Sequence, residues 1–286
     1  MKRILWKTGM AATIFFAGCN VDQRVPVEMA QLEQSRPLGG ETSLQADIGM
    51  DVGALEIQGD SSSNIYALNL EYDKASYQPE ISYDAAAARL TFRLDSTHRG
   101  GIRTEPHANR LQLNLTESLP IKLKVNTGVG DARLSLSRLR ISRLDVEGGV
   151  GGTKISSYDP SPVGCDEIRL RSGVGSIDAV GLANLNFSRL DFEGGVGSAN
   201  LDLSGAWKQD AEIRIQVGVG GVNMRMPRDI GVKLTAEKHF LSGLQLDNFR
   251  REGSGDDYYS ENYSKARIRV TVEVKTGIGA FRITWI

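Results

Sequence analysis

The sequence predicts an all-β fold: a stacked-repeat β-solenoid, β-helix-like, with mostly parallel, in-register rungs and Gly-Val-Gly corners. Three observations carry this expectation. First, the element Gly-Val/Ile-Gly recurs, with its central residue at Val129, Val150, Val174, Val196, Val219 and Ile278. The first five stand 21, 24, 22 and 23 residues apart, and a gap of 59 precedes the last. Second, apolar residues occupy the places three and five before the first glycine: Val125 and Leu123, Val146 and Leu144, Leu170 and Ile168, and so on to Val274 and Val272. Two places after the second glycine the pattern resumes with Ala132, Ile177, Ala199, Val222 and Phe281, with Thr153 the exception. Each repeat therefore reads as strand, glycine corner, strand, with one face of each strand buried. Third, the residues four before the glycine alternate in charge from repeat to repeat: Lys124, Asp145, Arg169, Asp191, Arg214. Glu147, Arg171 and Glu193, two before it, alternate as well. Rungs stacked in register about 4.8 Å apart would set each of these charges beside an opposite one.

A unit of about 22 residues cannot close a core by itself, whereas stacked copies can. Glycine at each corner permits a sharp turn and the close approach of a neighbouring rung. The central valine or isoleucine is expected to plug the interior edge of the corner.

The elements follow in order. Residues 1–19, "MKRILWKTGMAATIFFAGC", open with Lys2, Arg3 and Lys7, continue with a short apolar run from Met10 to Phe16, and end in small residues before Cys19. That run is too short for a spanning helix, which needs about 20 residues. Phe16-Ala17-Gly18-Cys19 resembles a bacterial lipobox, so 1–19 is expected to be a lipoprotein signal peptide with Cys19 as the lipidation site. Ordinary secretion and a cytosolic start are the alternatives. The membrane would then be a partner through the lipid anchor, with the chain facing the periplasm or the exterior. Asn20 after the cysteine leans toward the outer membrane.

Residues 20–40 lack clean periodicity, end in Pro37-Leu38-Gly39-Gly40, and are expected to be a flexible tether. Residues 41–115 form an N-terminal β section of short alternating runs such as "GALEIQ", "IYALNLEY" and "RLQLNL". Residues 116–286 hold the Gly-Val-Gly repeats.

Composition narrows function by exclusion. Lys plus Arg number 34 against 35 Asp plus Glu, so no basic excess recommends nucleic acid. The glycines do not form a nucleotide fingerprint: that motif opens a helix and needs a third glycine, where these elements carry Arg133, Lys154, Asp178, Asn200, Asn223 and Arg282. A calcium roll would need an aspartate where Thr153 and Ala199 stand. His98 and His107 lie in a polar loop without a third ligand in view, so no metal is expected, and no cofactor. Cys165 has no cysteine partner beyond Cys19 and reads as a buried or semi-exposed thiol. A catalytic role would want a histidine beside it. Glycoside cleavage calls for paired carboxylates on one face, and the outward columns mix signs instead. The expectation is a protein that is not an enzyme, with an envelope glycan-active enzyme on a β-helix scaffold as the alternative.

The largest break in the repeat, from His239 to Lys265, supplies the candidate contact residues: His239, Asp256, Asp257, Tyr258, Tyr259 and Tyr263. Tyrosine-rich loops make good contact surfaces. The partner would be an envelope protein or glycan; a plain solvated insertion is the alternative.

The series "TGVGDARLSL", "GGVGGTKISS", "SGVGSIDAVG", "GGVGSANLDL", "VGVGGVNMRMP" and "RVTVEVKTGIGAFRITWI" resembles the toast-rack domain of bacterial envelope proteins. The section "LQADIGMDVGALEIQGD…LNLEYDKASYQPEISYD" is similar to the N-terminal part found in cell-wall-active antibiotic response proteins. The resemblance covers residues 41–286. It implies a stacked all-β fold, membrane association and, in some members, a link to envelope-stress regulation. It implies no catalytic residues. The combined expectation is a non-catalytic, lipid-anchored envelope scaffold or binding module, with an accessory role in envelope stress as its finer form.

Overall fold

The structure, a computed structural model, describes residues 27–97, 109–236, 243–252 and 255–286. The regular elements among them are strands, apart from one 3-10 turn at Leu182–Leu185. The N-terminal section forms β1 (Met29–Pro37), β2 (Leu44–Val52), β3 (Ala54–Asp60), β4 (Asn64–Asp73), β5 (Tyr77–Asp84), β6 (Arg89–Ser96) and β7 (Arg110–Thr116). The repeats form β8 (Pro120–Val129), β9 (Ala132–Ser135), β10 (Arg140–Ser156), β11 (Ile168–Val180), β12 (Arg189–Asp202) and β13 (Ala211–Met226). The last section forms β14 (Gly231–Ala236), β15 (Gly243–Leu246), β16 (Phe249–Arg251), β17 (Asp257–Ser260) and β18 (Arg269–Trp285).

The fold is all-β, an open mixed sheet. The repeats pair in parallel, and like positions meet: Val150 lies opposite Val129 and Val174, Val174 opposite Val196, Val196 opposite Val219, and Val219 opposite Ile278. The 59-residue gap is an insertion after β13, because β18 returns to pair directly with it. Val52, at the end of β2, pairs with Val129 and extends the series by one rung.

Antiparallel strands finish both ends. β5 joins β6, while β1 and β7 flank β4 at the start; β17 joins β14 and β16 at the finish. β1 puts a strand at Met29–Pro37, inside the flexible tether expected over 20–40, whose residues 20–26 lie outside the described ones. Its sequence, MAQLEQSRP, is polar, yet Leu32 packs half-buried against the core and β4 takes up its backbone along the strand. Backbone pairing needs little apolar signal from the strand at an edge, so composition concealed it.

The apolar residues before each corner are buried as expected, from Leu123 and Val125 to Val272 and Val274. So are Ala132, Ile177, Ala199, Val222 and Phe281 after it, and the exceptional Thr153 as well. The central residue is different. Val150, Val174, Val196, Val219 and Ile278 are 44–64 % exposed, so they do not plug the interior. The first glycine of each corner drops out of the pairing, which passes from Gly148 to Val150 and from Gly194 to Val196. One extra residue reverses the inward–outward alternation. It turns the valine out and brings Thr153 or Ala199 back inside. The corner valines thus form an exposed apolar ridge along the stack.

The outward charges meet as the sequence implied, and the series is longer than the five repeats suggested. Asp47, Lys124, Asp145, Arg169, Asp191, Arg214 and Glu273 are successive cross-strand neighbours, with the sign changing at each step. The ion pairs are not all straight across. Arg169 reaches Asp145 at 3.7 Å, but lies closer to Glu167 at 2.8 Å. Arg171 lies 3.0 Å from Glu147 and 3.5 Å from Asp145.

Buried side chains tie the return segments together. Asn184, in the 3-10 turn, donates from Nδ2 to the Ser157 carbonyl at 2.8 Å and accepts from the Ala206 N–H at 2.9 Å. One amide thus bridges three successive rungs.

Candidate ligand-contact site in the C-terminal cap

The insertion folds over the exposed side of the last rung. β14 and β15 add to β18 in parallel, one on each side of its corner. β17 then runs antiparallel to β14, with Tyr259 opposite Lys233 and Tyr258 opposite Leu234. β16 closes the layer, with Arg250 opposite Tyr259. The turn after β17 is pinned by Asn262. Its Nδ2 donates to the carbonyls of Arg228 and Ile230 at 3.0 Å each, and its Oδ1 accepts from the Ser260 hydroxyl at 2.7 Å. That turn aims Tyr263 back at Tyr259, edge to face, with ring centroids 5.1 Å apart.

Each tyrosine expected from sequence carries a cation. Arg251 lies 5.8 Å from the Tyr258 ring, Lys233 lies 5.7 Å from Tyr259, and Arg269 lies 5.5 Å from Tyr263. Such contacts hold the rings at ~0.5–1 kcal/mol each at exposed sites. The two aspartates fix two of these cations. Asp257 accepts the Thr235 hydroxyl at 2.7 Å and lies 3.2 Å from Lys233 Nζ. The Thr235 hydroxyl first, and then Lys233, hold its carboxyl below the usual range, and Asp257 in turn raises Lys233. Asp256 lies 3.5 Å from Arg251.

The result is an open pocket of about 390 Å³ lined by Arg250, Arg251, Glu252, Tyr259, Tyr263 and Ser264. Sequence reasoning missed its arginines. The signal was present in "FRREG", whose arginines fall one strand away from the tyrosines. Asp256 and Asp257 do not line the pocket; Asp256 holds Arg251 in its wall, and Asp257 holds Lys233 behind the Tyr259 ring. Arg250 has no protein partner among the described residues. Of the remaining expected positions, Cys19, His239, His98 and His107 lie outside the described residues.

Further grooves lie among the described residues. One, of about 750 Å³, runs beside the valine ridge over five rungs, with Glu147, Arg171, Glu193, Gln216 and Lys275 along it. Another, of about 550 Å³, lies on the N-terminal section. No trio of metal-ligating side chains occurs among the described residues, and no helix there is long and apolar enough to cross a membrane. Cys165 is buried, and that burial pushes its thiol up to about 12, so it is protonated at neutral pH.

The chain is similar to several crystal structures. A "putative cell adhesion protein" from Clostridium sporogenes is 20% identical, with a TM-score of 0.47 over 91% of this chain and 100% of that one. A "putative adhesin" from Bacteroides fragilis is 14% identical, with a TM-score of 0.39 over 90% and 97%. A "putative lipid binding protein" from Parabacteroides distasonis is 10% identical, with a TM-score of 0.37 over 90% and 96%. None of the curated proteins matches the chain. The family model "N-terminal domain of toast_rack, DUF2154" matches residues 23–178 and 162–225. With most of its length matched and its repeats stacked on glycine corners, the chain belongs to the family of toast-rack N-terminal domains.

Proposed function

We propose that the protein is a non-catalytic, lipid-anchored binding module of the cell envelope. In this reading the stacked rungs act as a rigid solenoid scaffold that holds a ligand-contact cap away from the membrane, in the manner of a stress-signalling accessory. The observation that carries the reading is the cap pocket. Two tyrosine rings and two arginines converge there on a surface braced by ion pairs, and aromatic and arginine side chains are the usual anchors of contact surfaces. With Arg250 and Arg251 against Glu252, the lining favours a partner that bears an acidic group, on a protein or a glycan.

Anchoring and binding are tested separately. Cys19→Ser should release the chain from membranes washed in high salt; a variant that still pellets carries another anchor. A photo-crosslinking residue at Tyr259, in native envelopes, should give an adduct that Arg250→Ala abolishes. The same probe at Tyr158, which is 70 % exposed far along the chain, serves as control. Equal adducts at both positions would remove the cap from the account.

A further inference from the structure

The groove on the N-terminal section has a different chemistry from the cap. Its floor is the outer face of β3, β7, β4 and β1, hydrogen-bonded in that order. Alternation sends every second side chain outward, and cross-strand register gathers those residues into two rows. One row reads Glu56, Gln112, Asn69, Glu33; in the other, Gln58 and Asn114 are followed by Ala67. Ala67 is the small member between long neighbours, so the array has a notch about 550 Å³ in volume.

The amides are braced by one another. Gln58 Nε2 donates to Asn114 Oδ1 at 3.0 Å, and Gln31 Nε2 to Asn69 Oδ1 at 3.3 Å. Glu56 and Gln112 keep their polar ends free of protein partners among the described residues. None of the residues that line the groove is cationic.

We infer that this face is a second binding site, for a neutral oligosaccharide. An amide side chain offers both a donor and an acceptor, and a carboxylate offers strong acceptors. Adjacent sugar hydroxyls present the same mixture in return. Glu33 and Glu56 within the lining weaken binding of an anionic polymer, which separates this face from the cap, and Arg133, opposite Glu56 on β9, stands beyond the edge of the groove. Side chains held on a flat, hydrogen-bonded sheet lose little freedom on binding, so the array is pre-organised. The site stands independently of the proposed role of the cap.

The test is an array of neutral and acidic glycans probed with the full-length chain in detergent, followed by titration of the strongest neutral hit. Gln112→Ala, and Ala67→Phe to fill the notch, should each weaken it about tenfold or more, the equivalent of one or two ligand hydrogen bonds. Their melting temperatures should match wild type, because both positions face outward. Tyr259→Ala should leave the affinity unchanged, so failure here is distinct from failure of the cap. The inference is overturned if acidic glycans bind better, if neutral binding survives both face variants, or if no neutral glycan binds above the level of the Gln112→Ala chain.

Discussion

Gly197 and Gly195 flank one valine, yet each is required for a different reason. Gly197 has φ 145°, a region open in practice to glycine alone, and an added Cβ would overlap the carbonyl oxygen of Gly175 on the next rung. Gly195 has no such angle; there an added Cβ would meet the Gly173 carbonyl oxygen. Gly197→Ala should therefore cost about 3 kcal/mol and Gly195→Val about 1–3 kcal/mol. Val196→Thr, at the exposed site between them, should stay within about 0.5 kcal/mol of wild type. Denaturant midpoints at constant m-value measure all three. A costly Val196→Thr beside a harmless Gly197→Ala would reverse the geometry of the corner. That geometry was half legible. Buried positions fall three and five before the first glycine and four after it, so the alternation must reverse inside the corner. The sequence does not say on which side of the valine it reverses, and the valine was expected inside for that reason.

Asp191 makes a second point about single residues. Burial raises its carboxyl first, and the nearby Glu167 carboxylate raises it further, against the pull of Arg214 and Arg189. Its Oδ1 is buried without a hydrogen-bond partner. A folded-state pKa above the unfolded value stabilises the fold at low pH, and that contribution is lost as pH rises through the folded value. At neutral pH the ionised Asp191 is thus a burden. Asp191→Asn should raise stability at pH 7, and the gain should vanish below the ordinary carboxyl value of 3.8. A variant less stable than wild type at pH 7 would mean that Arg214 dominates instead.

Between elements, charge sets register more than it supplies stability. Arg169→Glu puts a third acid between Asp145 and Asp191, beside Glu167, and should cost about 1 kcal/mol, less in high salt. Adding Asp191→Lys should recover more of that loss than adding Asp145→Lys, because Asp145 is shared with Arg171. Thermal melts of the three variants at two salt concentrations decide it. Equal failure of both rescues would mean that these strands are not neighbours. The alternation itself was legible from repeat to repeat. Glu167 was not, because it precedes β11 in a return segment that carries no periodic signal. The same limit applied to β1, whose partner β4 and not its own composition makes it a strand. In the cap the tyrosines were legible and their cations were not, since only the register between β16 and β17 brings Arg250 to Tyr259.

Across the whole molecule, one local unit repeated in parallel gives both the long core and the exposed valine ridge. The antiparallel ends carry the two surfaces proposed to bind, one rich in arginine and tyrosine, the other in amides. Core, ridge and charge series alike depend on adjacent repeats lying side by side in register. A pair of cysteines at the corner ridge tests this most directly. Val174 and Val196 are paired neighbours, and parallel strands about 4.8 Å apart fall within the 4.4–6.8 Å span that a disulfide bridges. Val174→Cys with Val196→Cys should therefore close a bond under mild oxidation, read as protection from thiol alkylation by mass spectrometry. Val174→Cys with Val219→Cys, two rungs apart, should stay reduced. A bond in the second pair, or none in the first, would contradict the in-register stack.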